Sequence, residues 1–306
     1  MKNFVVGHKN PDTDSVISAM IYSLYLKKMK IDAVPIILAK PNKETKFILD
    51  YFSVKSPSVI SEIKAGKYHL VDHGGLEQSV PGLKEEDISS VVDHHQMVGL
   101  KTIEFIFYRA EPVGSTATLL FKMFKEKGWK LNKTESSLLL AGIISDTLYL
   151  TSKTTSKEDK DALRELNKLT KLDLKNFSDK MFEAKSDISG MSFTEVVTAD
   201  YKDYDFAGKN ICISVFETVS TKPFEGKEKE IIEIINKFKD KKKADLLFFG
   251  LVDILKKKTI LYCSGEEELV VAKKAFKVAS KDKNTLVLPG VTSRKKELIP
   301  PLFKVL

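Results

Sequence analysis

Histidine is scarce in this 306-residue chain, and its placement is informative. Of five histidines, His8, His73, His94 and His95 stand beside aspartates at the ends of short apolar runs, whereas His69 lies inside such a run and reads as structural. None occurs beyond position 95, so any imidazole chemistry belongs to the first part of the chain. The first cluster is Gly7-His8-Lys9-Asn10-Pro11-Asp12-Thr13-Asp14-Ser15. The second is Val71-Asp72-His73-Gly74-Gly75, and Val91-Val92-Asp93-His94-His95-Gln96 repeats the arrangement. A further aspartate, Asp146, follows the apolar segment Leu138–Ile144. Imidazole mixed with several carboxylates and no thiolate suits Mn²⁺, Co²⁺, Fe²⁺ or Zn²⁺ in oxygen-rich octahedral or five-coordinate geometry. The carboxylates exceed what one ion needs, so two ions bridged by a shared carboxylate and a water are the economical arrangement. Such a pair serves in-line displacement at phosphorus, clamping the attacking and departing oxygens. Each aspartate alone also has a structural reading; Asp14 or Ser15 could simply cap a helix.

These residues converge only if the elements beneath them place them at one edge. Phe4–Gly7, Ala33–Leu38, His69–Asp72, Ser90–Asp93 and Ile103–Phe107 read as strands, and Ser15–Met29 and Lys43–Phe52 have helical spacing. That alternation predicts a parallel α/β sheet flanked by helices, with ligands at the carboxyl ends of the strands. Helices follow at Ser115–Lys127, Glu135–Ile144 (with Asn132 and Glu135 close to a capping box), Lys157–Thr170 and Leu174–Ala184. The polar stretch Lys185-Ser186-Asp187-Ile188-Ser189-Gly190 reads as an interdomain linker. The expected division is a domain over 1–186, a linker over 187–191 and a smaller domain over 192–306. In the smaller domain, strands are expected at Phe193–Ala199, Ile211–Phe216, Leu246–Val252, Thr259–Cys263 and Leu286–Leu288, with helices at Lys227–Lys239 and Glu266–Ala279. This describes an α/β domain with a mixed sheet.

Composition narrows the class. An apolar content of 42% with 30% charged residues is that of an ordinary globular protein. No apolar run approaches the roughly 20 residues that cross a bilayer, and Met1–Gly7 is too short for a signal-peptide core. Two cysteines, Cys212 and Cys263, cannot build a disulfide framework; they read as buried thiols in a reducing compartment, and the expected location is the cytoplasm. The net charge of +8 is almost entirely lysine, in runs such as Lys241-Lys242-Lys243 without interleaved aromatics, which argues against a nucleic-acid platform. A positive field still favours a small polyanion. Arginine occurs only at Arg109, Arg164 and Arg294, so an arginine inside a motif points to bidentate phosphate binding.

The clusters His8-Lys9-Asn10-Pro11-Asp12-Thr13-Asp14-Ser15 and Asp93-His94-His95 resemble those of the DHH phosphoesterase superfamily. More narrowly, the chain resembles the family II (manganese-dependent) inorganic pyrophosphatases. Further matches are Tyr108-Arg109-Ala110-Glu111-Pro112-Val113-Gly114-Ser115-Thr116-Ala117, Gly142-Ile143-Ile144-Ser145-Asp146-Thr147, Asp200-Tyr201-Lys202 and Ser293-Arg294-Lys295-Lys296. The resemblance implies a DHH domain followed by a DHHA2-like domain, and hydrolysis of diphosphate by water activated between two Mn²⁺ ions per subunit. It implies Co²⁺ as a substitute and Mg²⁺ carried by the substrate. His8, Asp12, Asp14, Asp72, His94 and Asp146 match metal ligands, with Asp72 bridging the ions. His95 matches a residue that contacts substrate. Lys202, Arg294 and Lys295 match second-domain cations that grip the diphosphate, which would put the active site in the cleft between the domains. A homodimer through the first domain is also implied. One departure is visible: the family often has Asn-Glu after the Asp-His pair, where this chain has Gly74-Gly75.

The nearest alternative is another DHH phosphoesterase, such as an oligoribonuclease, a cyclic-dinucleotide phosphodiesterase or an exopolyphosphatase. Those usually end in a Gly-Gly-Gly-His-type motif or replace the second histidine of the third cluster; here Ser293-Arg294-Lys295-Lys296 stands and His95 is present. A non-catalytic phosphate- or nucleotide-binding module is the alternative from another class. Against it, the interval from Asp72 to Asp93 has no room for a regulatory insert, and no expected ligand is missing.

Overall fold

The computed structural model describes residues 2–95, 100–102, 104–280 and 282–306. Gln96 of the third histidine cluster and Ile103, the start of an expected strand, lie outside them. The chain divides into two compact units, Met1–Ala184 and Lys185–Leu306.

The first unit runs β1 (Asn3–Val6), α1 (Thr13–Lys28), β2 (Ala33–Ile37), α2 (Lys43–Tyr51), β3 (Ser58–Val59), β4 (Lys67–Val71), β5 (Ile88–Asp93) and β6 (Phe107–Ala110). Helices α3 (Thr116–Glu126), α4 (Lys133–Thr147), α5 (Lys157–Thr170) and α6 (Leu174–Lys185) follow. The six strands form one sheet in the order β3-β2-β1-β4-β5-β6, and every pairing is parallel. The central strands are apolar on both faces, with Val5, Val6, Leu70, Val71, Val91 and Val92 fully buried, as a sheet covered by helices requires. Order reverses between β1 and β4, so the loops leaving these two strands diverge and open a crevice at their carboxyl ends.

Helices α1 and α4 are buried almost all round, which is why neither shows an amphipathic stripe. The capping box at Asn132 and Glu135 is present and starts α4 at Lys133. Asp146, expected just beyond this helix, lies within its last turn. The strand expected over Ile103–Phe107 is displaced: β6 begins at Phe107, so Glu104–Ile106 precede it.

The second unit contains α7 (Phe193–Thr198), β7 (Asp200–Phe206), β8 (Lys209–Thr218), α8 (Glu228–Lys242), β9 (Leu246–Asp253), β10 (Lys258–Cys263), α9 (Glu266–Phe276) and β11 (Thr285–Pro289). A single π-type turn, Arg294–Leu298, leads into α10 (Ile299–Phe303). The sheet order is β11-β10-β9-β8-β7. Only β8 and β9 pair in parallel, so the sheet is mixed. All eight residues of β9 are buried between two apolar clusters, one containing Phe248, Leu261 and Leu298 and the other Leu247, Phe249 and Ile235. Cys212 and Cys263 are free thiols buried in these clusters, and burial pushes both up to about 12.

Of residues 193–199, expected as a strand, Phe193–Thr198 form α7 because Ser192 and Glu195 make a reciprocal capping box that satisfies the first-turn amides. The strand lies next to it: β7 is an edge strand whose largely exposed, charged side chains hid it, and Ala207 and Gly208, both at positive φ, turn it back onto β8.

A candidate metal centre at the carboxyl edge of the first sheet

His8 follows β1, and its backbone N–H donates to Ser15 Oγ at 3.1 Å. Gly7 permits that approach, since a Cβ there would lie 1.9 Å from the same oxygen. The cap of α1 is neither Asp14 nor Ser15. It is Asp12, whose Oδ1 accepts the Ser15 N–H at 2.9 Å while Oδ2 lies 3.6 Å from His8 Nε2. Capping and the site therefore share one side chain. Asp14, two residues on, is completely buried.

Asp72 leaves the end of β4 with its backbone in the left-handed region (φ 62°), and its N–H donates to Val92 O at 3.0 Å. Its two oxygens face different partners: Oδ2 is 3.4 Å from His8 Nε2, and Oδ1 is 3.3 Å from His94 Nε2. His94 Nδ1 is tied to Val113 O at 3.0 Å, which turns Nε2 inward to 3.3 Å from Asp146 Oδ2. Three overlapping sets of side chains thus form: His8, Asp12, Asp72; Asp14, Asp72, His94, Asp146; and Asp72, His94, His95. Within each set the ligand atoms lie within 4.8 Å of one another, and Asp72 belongs to all three.

The donor set fits divalent cations. The buried Asp72 Oδ2 and His94 Nε2 have no hydrogen-bond partner, and a buried orphan of this kind is costly unless something else binds it. Neighbouring ligands about 2.1 Å from an octahedral cation lie about 3 Å apart, close to the 3.3–3.6 Å separations here. The electrostatics agree. Burial opposes charge on His94, but the Asp146 and Asp72 carboxylates push it up to about 12. Burial is likewise outweighed at His8, which Asp12 and Asp72 push up to about 10. Burial raises Asp72, yet the two imidazoles hold it below the usual carboxylate range. Burial carries Asp146 up to about 7. The carboxylates that favour a proton on each imidazole would equally favour a metal cation in its place.

His95 is half-exposed, and both its N–H (3.1 Å) and Nδ1 (2.9 Å) are held by Asp93 Oδ1. His73 is buried, with Nδ1 on Val71 O at 2.9 Å. Gly74 has a specific neighbour, since a Cβ there would lie 2.9 Å from the Tyr108 hydroxyl, which fills the room of a side chain. A cavity of about 740 Å³ opens beside the centre, lined by His8, Lys9, Asn10, His73, Asp93 and His95 among others. A larger cavity of about 1050 Å³ opens at the amino ends of the strands. There Tyr22 donates to Ser90 Oγ at 3.0 Å and Ser90 bonds His69 Nδ1 at 2.7 Å, so its polar floor is satisfied internally.

Of the three arginines, Arg109 sits in a motif but grips Glu111 and Glu126 at 2.6 Å, a structural pairing. Arg294 belongs to the second unit, where Nη1 donates to Asp200 O at 2.7 Å and lies 2.9 Å from Asp200 Oδ1. This joins the Asp200-Tyr201-Lys202 and Ser293-Arg294-Lys295-Lys296 segments; Lys202 and Lys295 are exposed. Sequence reasoning missed Glu44. This buried carboxylate accepts from Thr13 Oγ1 (3.0 Å) and Ser145 Oγ (2.8 Å), neighbours of Asp12, Asp14 and Asp146. The available signal was two hydroxyls directly adjoining expected ligands.

A parallel sheet with a histidine–aspartate cluster at its switch point, followed by a mixed-sheet unit, is the architecture of a DHH-type protein. Residues 2–143 match the DHH family, N-terminal domain, and residues 179–305 match the DHHA2 domain. The chain is 36% identical over 304 residues to the manganese-dependent inorganic pyrophosphatase of Bacillus subtilis, covering 98% of this chain and 97% of that one. A solved Methanococcus jannaschii structure, provisionally assigned to the family II inorganic pyrophosphatases, is 34% identical with a TM-score of 0.65 and 99% coverage of both chains. An exopolyphosphatase-related protein of Bacteroides fragilis, 17% identical with a TM-score of 0.50 and coverage of 99% and 92%, shares the fold alone. The chain belongs to the family of manganese-dependent inorganic pyrophosphatases.

Proposed function

We propose that the protein hydrolyses diphosphate to two phosphates at the Asp72 centre, with two Mn²⁺ ions per subunit held by His8, Asp12, Asp14, Asp72, His94 and Asp146. The observation that carries this reading is the division of Asp72, one oxygen toward His8 and the other toward His94, the disposition of a carboxylate shared by two ions. When bound, such a pair supplies Lewis-acid charge and a hydroxide nucleophile at neutral pH. Co²⁺ serves as a substitute, and Mg²⁺ arrives with the substrate. Asp93 holds His95 by Nδ1, leaving Nε2 to meet the substrate. Lys202, Arg294 and Lys295 neutralise charge on the phosphoryl oxygens as it develops. The family relationship supports diphosphate as substrate, and we assign the enzyme to the cytoplasm as a homodimer. No helix among the described residues is long and apolar enough to cross a membrane.

Phosphate release from diphosphate, a dinucleotide and a long polyphosphate, after chelation and metal return, tests this. Diphosphate alone should turn over rapidly, with Mn²⁺ or Co²⁺ restoring more activity than Mg²⁺. Faster attack on the dinucleotide or polyphosphate would overturn the substrate, and full turnover by stripped protein with Mg²⁺ alone would overturn the two-ion centre.

A further inference from the structure

The first turn of α3 reaches the candidate centre without contributing a ligand. Asp14 is buried with its two oxygens against this turn. Oδ1 accepts from Ser115 Oγ at 2.9 Å and Ala117 N at 3.1 Å, and Oδ2 accepts from Thr116 N at 2.6 Å. The same Thr116 donates its hydroxyl to Asp72 Oδ1 at 2.9 Å. Ser115, Thr116 and Ala117 are all fully buried, so water cannot replace these donors. The turn is itself anchored from behind: Asp159, also fully buried, accepts from Gly114 N at 2.8 Å and from Thr118 Oγ1 at 2.6 Å.

We infer that Thr116 is a positioning residue that sets the separation of Asp14 and Asp72, and with it the spacing of the two ions. The inference rests on the metal-centre reading above. Asp14 lies in the first turn of α1 and Asp72 just after β4, and within this hydrogen-bond set Thr116 alone holds both, one by its amide and the other by its hydroxyl. The amide donation survives any non-proline side chain, whereas the hydroxyl donation is specific to threonine or serine. Its loss frees the Asp72 carboxylate to rotate about its Cβ–Cγ bond, and Asp72 is the one side chain common to every ligand set. Groups that orient ligands in this way typically account for roughly 10–100-fold in metal affinity.

Thr116→Val keeps the shape and deletes the hydroxyl, and Thr116→Ser restores it. Mn²⁺ is titrated calorimetrically into chelator-stripped protein of each variant, and thermal unfolding is recorded without metal. The valine variant should bind at least one of the two ions roughly 10–100-fold more weakly, and its lost turnover should return when Mn²⁺ is raised in proportion. The serine variant should bind as wild type does. Without metal, the valine variant should lose only the small stability that one buried hydrogen bond is worth and the serine variant none, whereas a merely structural threonine would lower stability without weakening Mn²⁺ binding. Thr116→Ala provides the same comparison should the valine variant not fold. Unchanged affinity for both ions in the hydroxyl-free variant overturns the role of Thr116. Failure of the wild-type protein to take up two Mn²⁺ would instead overturn the metal-centre reading itself.

Discussion

Asp72 departs from β4 in a left-handed conformation that most residues avoid, and that turn lets its oxygens diverge toward His8 and His94. Strain of this kind persists where surroundings over-determine it, and here the Asp72 N–H bond to Val92 O does so. Two substitutions separate metal retention from turnover. Asp72→Ala should lose bound Mn²⁺ together with rate, whereas His95→Gln should keep most of its metal and turn over far more slowly. Metal analysis finding the reverse would exchange their roles. His69 belongs to stability. Burial lowers it to about 4, so it stays neutral in the folded protein while the unfolded chain takes up a proton near 6.5. The unfolded state therefore binds more protons between these values, and stability is full above about pH 6.5 and lost as pH falls toward 4. In urea unfolding at pH 7 and 4.5, wild type should lose on the order of 2 kcal/mol more than His69→Gln. Equal losses would show that His69 is not the sensor.

At the scale of elements, the centre depends on how closely α4 backs onto α1 and α3. A Cβ on Gly142 would lie 2.8 Å from Asp14 Oδ1 and 2.9 Å from Ala117 Cβ. Helix propensity alone favours alanine over glycine by about 1 kcal/mol. Overpacking costs about 1–3 kcal/mol, and here the neighbours are a buried carboxylate and a helix side chain with little freedom to yield. Gly142→Ala should therefore lower the unfolding temperature and weaken Mn²⁺ binding together. A stabilised variant with unaltered metal affinity would show that the helices can separate at no cost.

At the scale of the molecule, every predicted ligand lies in the first unit and every predicted phosphate-gripping cation in the second. Arg294 is the informative member because its guanidinium has a planar fork and one nitrogen is already fixed on Asp200. Arg294→Lys keeps the charge but loses the bidentate geometry. A loss of about 1.5–3 kcal/mol, the worth of a charge-assisted hydrogen bond, corresponds to about ten- to a hundredfold in rate. Mn²⁺ content should not change, since no ligand is touched. Wild-type rate and affinity for diphosphate in this variant would remove Arg294 from the reaction.

Much of this was legible along the chain. A buried strand is a local apolar run and the polar residues that follow mark its end, so the places of His8, Asp72 and His94 at strand ends could be read in one dimension. Helix α5 likewise appears at its expected bounds, Lys157–Thr170, because caps and helical periodicity are local. The strand β7 was hidden for the converse reason: an edge strand of mostly exposed, charged side chains has no apolar run, and its pairing with β8 identifies it. The supports of the centre were hidden more deeply. Ser115 meets Asp14 and Ser145 meets Glu44 across 101 residues each, and Thr116 meets Asp72 across 44. A hydroxyl in the sequence carries no sign of which carboxylate it will face. That is settled only when strand order places β1 beside β4 and burial removes the water that would otherwise take the bond.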